Sequence, residues 1–155
     1  MTDENQTRLE RDSIGALEVP IEAYYGVQSL RAKRNFPMTG RTMHAGLIAN
    51  LAQVKKAAAL TNERAGFLPG PLAQAIMAAA DEVIAGKWRD AFIVDPIQGG
   101  AGTSANMNAN EVIANRAIEL LGGRKGDYSA HAAGAGLSRL RVRAFARPCA
   151  PSRRL

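Results

Sequence analysis

The stretch that decides the fold is residues 99–117, which read GGAGTSANMNANEVIANRA from Gly99 to Ala117. Its first four positions hold three glycines, and an asparagine-rich segment with helical spacing follows. The first N–H groups of a helix lack hydrogen-bond partners inside the helix, and the N-terminal end of the helix dipole is positive. The sequence therefore predicts an anion-binding site at the start of this helix. A helix that begins near Thr103 places Thr103, Asn106 and Asn110 on one face. The opposite, apolar face would pack in the core through Met107, Ala114, Ile118 and Leu121.

The asparagines have a second interpretation, which the residues alone leave open. Asparagine is common at helix starts because its side chain satisfies free N–H groups, and Asn108 with Glu111 matches a capping box. Two nucleotide motifs are excluded. Gly100-x-Gly102-x-x-Ala105 matches the loose dinucleotide pattern, but no strand leads directly into it and no Gly-Lys-Ser/Thr follows.

The rest of the chain reads as mainly helical, with short extended pieces before residue 35. Apolar spacing predicts helices near 45–63, 71–85 and 104–121. The first would face inward through Leu47, Ile48, Leu51, Val54 and Ala58, and the second through Leu72, Ile76, Ala79 or Ala80, and Val83. The long connection from Gly86 to Gly102 contains buried-looking aromatic residues, so we expect it to be ordered.

Composition limits the class of protein. The 155 residues amount to one domain, with no apolar run long enough for a membrane span and a polar N-terminus unlike a signal peptide. The single cysteine, Cys149, rules out an internal disulfide, and the chain reads as cytoplasmic. His44 has no second ligand at a metal-binding spacing, so we expect a helix-start residue and no metal site.

The net charge of +6 does not indicate nucleic-acid binding. Six arginines follow Ser129 with no acid among them, which leaves 14 basic and 14 acidic residues up to Tyr128. The basic character therefore belongs to residues 129–155, and neither a nucleic-acid nor a membrane partner is expected.

Residues 95–112 resemble the first signature region of the aspartase/fumarase superfamily. Gly102-Thr103 followed by Asn106-Met107-Asn108-Ala109-Asn110-Glu111-Val112 is typical of its aspartase and class II fumarase branch. Asp95 to Ser104 is closer to the aspartase pattern, because fumarases usually carry Ser at position 101 and Gln at position 104. Tyr24-Tyr25-Gly26-Val27 with Arg31-Ala32 also resembles an aspartase segment, with Ser29 replacing the more usual Thr.

The resemblance implies the N-terminal domain of the aspartase/fumarase fold and an ammonia-lyase that interconverts L-aspartate with fumarate and ammonia, without a cofactor. It implies a substrate-binding arm for a small dicarboxylate, made by Gly102, Thr103, Ser104, Asn106 and Arg31. The catalytic serine of the family lies on a distant Gly-Ser-Ser loop, so no catalytic base is expected here. Family members are homotetramers whose sites combine three subunits.

The resemblance runs from about Arg8 to Tyr128, which predicts a domain at 1–128. Residues 129–155 are Arg/Ala-rich and lack the family's second signature region; we interpret them as disordered or out of frame, truncating the fold before its central helical bundle. The chain alone is then expected to be inactive. Two alternatives stay open: a class II fumarase fragment, and a non-enzymatic helical module with a basic tail.

Overall fold

The computed structural model describes residues 6–128. The chain starts with an antiparallel hairpin of β1 (Thr7–Arg11) and β2 (Ala16–Pro20), in which Thr7 pairs with Pro20 and Arg11 with Ala16. Four helices follow: α1 (Val27–Asn35), α2 (Ala45–Arg64), α3 (Gly70–Ile84) and α4 (Thr103–Leu120). The predicted mainly helical fold with short extended pieces near the N-terminus is confirmed. None of the helices within 6–128 is long and apolar enough to cross a membrane.

The core is formed where α2, α3 and α4 pack together. The inward face predicted for α3 is confirmed, since Leu72, Ile76, Ala79, Ala80 and Val83 are all buried. Helix α4 is buried along most of its length and contributes Val112, Ile113 and Ile118 to the same core. Met107 and Leu121, predicted to be core residues, are only half-buried. A helix covered on several sides buries its polar residues too, so α4 lacks the clean division into two faces that its sequence suggests.

The inward face predicted for α2 is wrong in part. Leu47 and Val54 are 48% and 63% exposed, whereas Ile48, Ala52, Lys55 and Ala59 form the buried face. The small alanines allow α2 to approach its neighbours closely, and the lysine is buried among them. The buried face of α2 is therefore shifted by about one residue from the predicted face.

Helix α1 lies in a stretch for which the sequence predicted only extended structure. It has nine residues, and no side chain of its own caps its N-terminus. The connection after α3 is ordered as predicted: it contains two short 3-10 turns, Arg89–Ala91 and Gly100–Gly102, and buries Phe92 and Val94.

Candidate functional site

Polar side chains in the middle of α4 form hydrogen bonds with the backbone of the surrounding segments. Asn108 accepts a hydrogen bond from the N–H of Ile93 at 2.9 Å and donates to the carbonyl oxygen of Ala91 at 2.9 Å. Asn115 donates to the carbonyl oxygen of Tyr24 and accepts from the N–H of Gly126, both at 2.8 Å. Asn108 and Glu111 lie inside the helix, so the capping-box interpretation is wrong. These residues satisfy backbone groups of segments that lie outside the four α-helices.

Glu111 fixes the start of α1. Its buried carboxylate accepts hydrogen bonds from the N–H groups of Gly26 (2.9 Å), Gln28 (2.9 Å) and Ser29 (3.0 Å). The carboxylate of Glu10 accepts from the N–H of Val27 at 3.0 Å. Two carboxylates from other elements thus do what an N-cap side chain ordinarily does, and negative charge suits the positive end of the helix dipole.

An open cleft of about 260 Å³ lies between the hairpin turn, α1 and the start of α4. It contains three of the five predicted binding residues: Arg31, Thr103 and Ser104. Gly102 and Asn106 neighbour these residues in the chain but do not line the cleft. The remaining lining residues are Asp12, Ser13, Ile14, Gln28, Ala32, Asn35, Phe36 and Met107.

The guanidinium of Arg31 is held by Asp12, a residue that the sequence did not single out. Nε and Nη2 of Arg31 donate to the two carboxylate oxygens of Asp12 at 3.1 and 3.0 Å. Burial raises the pKa of Asp12, but the hydrogen bonds from Arg31 and from the N–H groups of Ile14 and Gly15 outweigh it, so the pKa is lowered overall. Within residues 6–128, Nη1 is the guanidinium nitrogen left for a ligand. The fork of Arg31 therefore already binds one carboxylate, supplied by the protein.

The start of α4 supplies the opposite wall of the cleft. Gly100, Ala101 and Gly102 have φ values of 72°, 52° and 86°, and this left-handed path turns the chain sharply into the helix. The Thr103 hydroxyl donates to the carbonyl oxygen of Gly100 at 2.6 Å, and the N–H of Ala105 donates to Oε1 of Gln98 at 2.8 Å. The Ser104 hydroxyl has no hydrogen-bond partner in the described part of the chain. The wall thus combines hydroxyl groups with the positive end of a helix.

Asn106 lies on the side of α4 that faces α2. Its Oδ1 accepts a hydrogen bond from Nζ of Lys55, a side chain whose residue is only 4% exposed. Burial lowers the pKa of Lys55. Asn110, one turn further along, is also buried; its Nδ2 contacts the sulfur of Met107 at 3.7 Å, and its Oδ1 has no partner among residues 6–128.

His44 behaves as predicted for a helix-start residue. It is the N-cap of α2, and its Nδ1 accepts a hydrogen bond from the N–H of Gly46 at 3.1 Å. Among the residues that the structure describes, no group of three or more His, Cys, Asp or Glu side chains is arranged to hold a metal ion.

The fold is a helical domain with an open cleft beside the signature helix α4, and comparison with known proteins gives its family. A family model described as lyase matches residues 15–137, most of the chain. The chain therefore belongs to this lyase family, in the aspartase/fumarase superfamily. The match continues past Tyr128, where the resemblance of the sequence motifs ends. The prediction that residues 129–155 are disordered or out of frame lies outside the described residues.

Curated relatives include aspartate ammonia-lyases and class II fumarate hydratases. The chain is 62% identical over 122 residues to an aspartate ammonia-lyase from Bacillus sp.. The aligned region covers 79% of this chain and 26% of that protein. It is 53% identical over 124 residues to a class II fumarate hydratase from Halobacterium salinarum, with 80% and 26% covered. The chain spans about a quarter of the length of these relatives.

Solved structures agree with the fold. A fumarate lyase:delta crystallin structure from Brucella melitensis, bound to cobalt, matches with a TM-score of 0.78 and 51% identity over 79% of this chain and 27% of that one. A class II fumarase from Schistosoma mansoni matches with a TM-score of 0.75 and 40% identity over 78% of this chain and 26% of the other.

Proposed function

We propose that the chain is the N-terminal part of an aspartate ammonia-lyase, an enzyme that deaminates L-aspartate reversibly to fumarate and ammonia. Its own contribution is one arm of the substrate site, built from Gly102, Thr103, Ser104, Asn106 and Arg31. The observation that carries the proposal is the cleft, in which Arg31 of α1 meets Thr103 and Ser104 of α4. The 62% identity to the Bacillus sp. aspartate ammonia-lyase supports the same activity.

The chemistry of this wall suits a carboxylate. Removal of the C3 proton of aspartate places developing negative charge on the neighbouring carboxylate, and preorganised donors at that position lower the barrier. The Ser104 hydroxyl at the start of α4, backed by the positive end of the helix, is a donor of this kind. The Thr103 hydroxyl becomes one when it turns from the carbonyl oxygen of Gly100 to the ligand. Nη1 of Arg31 adds a charged donor from the opposite wall.

The base must come from outside residues 6–128. Asp12 is the carboxylate that lines the cleft, and four hydrogen bonds from Arg31, Ile14 and Gly15 occupy its oxygens. A carboxylate with a lowered pKa, held in this way, is a poor proton acceptor. We therefore propose that the serine loop typical of the superfamily, on a longer chain, removes the proton, and that the working enzyme is a homotetramer. Exposed apolar side chains on α2, Leu47 and Val54, are suited to contacts in such an assembly.

The second candidate function is fumarate hydration, which the 53% identity to the Halobacterium salinarum enzyme favours. Ala101 and Ser104 favour the ammonia-lyase, since fumarases usually carry Ser and Gln at these positions. The two reactions share a dicarboxylate product, so the same cleft could serve either.

A chimera tests the proposal. Residues 1–128 replace the matching segment of the Bacillus sp. aspartate ammonia-lyase, and fumarate formation from L-aspartate or from L-malate is followed by its ultraviolet absorbance. Turnover of L-aspartate alone supports the ammonia-lyase, and turnover of L-malate alone supports the hydratase. A folded tetramer that converts neither substrate would show that this segment cannot supply the binding arm.

A further inference from the structure

Lys55 occupies an unusual position for a lysine. It lies on the buried face of α2, with only 4% of its surface exposed, and donates a hydrogen bond to Oδ1 of Asn106. Burying a charged ammonium is costly unless polar groups compensate it, and its lowered pKa reflects that cost. A methionine of similar length would fill the same space without a charge. The neighbouring Lys56 shows the ordinary arrangement, with its ammonium at the surface 2.6 Å from Asp81.

The contact determines which end of the Asn106 amide is offered to other groups. A protonated lysine only donates hydrogen bonds, so the amide group must turn its oxygen towards Lys55. The NH2 group is then the end of the amide turned away from the ammonium of Lys55, and it has no hydrogen-bond partner among residues 6–128. Asn106 does not line the cleft itself, but it lies three residues after Thr103 and directly before Met107, both of which do, so it flanks the cleft on the side of α2.

We propose that Lys55 is a positioning residue, which fixes the amide of Asn106 so that its NH2 group donates to a carboxylate of the dicarboxylate ligand. The inference rests on the proposed function, because it takes the ligand to be a dicarboxylate bound beside the start of α4. Lys55 does not touch the ligand itself. It excludes the flipped amide, whose oxygen would repel a carboxylate, and its charge lies behind the donor and strengthens it.

The experiment uses the 155-residue chain with succinate, an unreactive dicarboxylate, as the probe. Binding is followed by the shifts of backbone and side-chain amide signals in NMR spectra. Lys55→Met removes the charge and the hydrogen bond while keeping the side-chain length, and Lys56→Met is the matched control. We expect Lys55→Met to weaken succinate binding about fivefold, the size of one hydrogen bond, without lowering the melting temperature. Lys56→Met should leave binding unchanged.

Asn106→Ala distinguishes positioning from a general charge effect. If Lys55 acts through Asn106, adding Lys55→Met to Asn106→Ala should weaken binding no further. Equal fivefold losses in both backgrounds would overturn the positioning role, and so would unchanged binding in Lys55→Met alone; both outcomes leave the proposed function standing. If the unaltered chain fails to bind succinate while its NMR spectrum shows a folded protein, the dicarboxylate cleft and this inference fall together.

Discussion

Glu111, in the middle of α4, accepts hydrogen bonds from both the backbone N–H and the hydroxyl group of Ser29, in the first turn of α1. The two residues are 82 positions apart in the chain. Because Arg31 follows Ser29 by two residues, the anchor that starts α1 also sets the place of Arg31 in the cleft. A buried carboxylate of the signature motif therefore supports the site without lining it.

Replacing Glu111 should destabilise the whole domain. In Glu111→Gln the side-chain NH2 group meets backbone N–H groups that need an acceptor, so buried donors lose their partners. We expect the free energy of unfolding to fall by about 2–4 kcal/mol, measured by urea denaturation. Glu18→Gln, on the exposed face of β2, is the matched control and should change stability little. If Glu111→Gln and Glu18→Gln unfold at the same urea concentration, the anchoring role of Glu111 is contradicted.

Gly26 offers an independent test of the same junction. A Cβ atom at this position would lie 2.6 Å from Oε2 of Glu10 and 2.8 Å from Cδ of Glu111. These contacts are too short, and both carboxylates are fixed by hydrogen bonds, so Gly26→Ala should lower the melting temperature. Gly46→Ala, where the nearest atom is Nδ1 of the exposed His44 at 3.2 Å, should be close to neutral. A neutral Gly26→Ala variant would mean that the junction is looser than the contacts indicate.

The sequence predicts those helices whose signals lie within their own segment, and it fails where a helix depends on residues far away in the chain. Helices α2, α3 and α4 are predictable because apolar spacing and flanking glycines are local signals. Helix α1 is not, because its N-terminus depends on Glu10 and Glu111, which become its neighbours only after folding. The misassigned face of α2 has the same origin, since Lys55 is buried against a side chain 51 residues away.

The candidate site divides in a similar way. The signature motif indicates residues 103 and 104, and the resemblance to an aspartase segment indicates Arg31; the structure brings all three to one cleft. Asp12 was missed. It lies in a hairpin turn, where an aspartate that accepts N–H groups from the next residues is common, and nothing local indicates that it also holds Arg31.

Alkaline pH should weaken the contact between Tyr24 and Glu119. The Tyr24 hydroxyl donates to Oε2 of Glu119 at 2.7 Å; burial, together with this hydrogen bond, raises the pKa of Tyr24 to about 12. A folded-state pKa above the unfolded value of 10.0 means that the stabilisation is complete below pH 10 and is lost as the pH rises towards 12. In Tyr24→Phe, the free energy of unfolding should fall less steeply over this range. Tyr25→Phe is the control, and a slope unchanged from the unaltered protein in Tyr24→Phe would contradict the assignment.

Thr103 should be the most sensitive binding residue in the active chimera. We expect Thr103→Val to lower kcat/KM for L-aspartate at least tenfold, or about 1.4 kcal/mol of transition-state stabilisation. The variant lacks the hydroxyl that turns from the carbonyl oxygen of Gly100 to the developing charge when substrate is bound. Thr61→Val is the matched control: its hydroxyl donates to the carbonyl oxygen of Ala57 on the exposed side of α2. Unchanged kinetics in Thr103→Val would reduce the residue to a turn-forming role through its bond to Gly100.

The purified 155-residue chain should form no fumarate from L-aspartate under conditions in which the chimera is active. Removal of the C3 proton requires a base, and the carboxylate in the cleft, Asp12, is held by Arg31 and has a lowered pKa. Hydrogen-bond donors on one side of the cleft do not hold the substrate in a single orientation. The rate enhancement that comes from positioning the reacting groups is therefore lost. Exposed apolar residues such as Val54 and Phe67 should make this form prone to association, so its oligomeric state is measured alongside activity. Robust turnover that survives Thr103→Val would overturn both the assigned binding arm and the need for a base from outside residues 6–128.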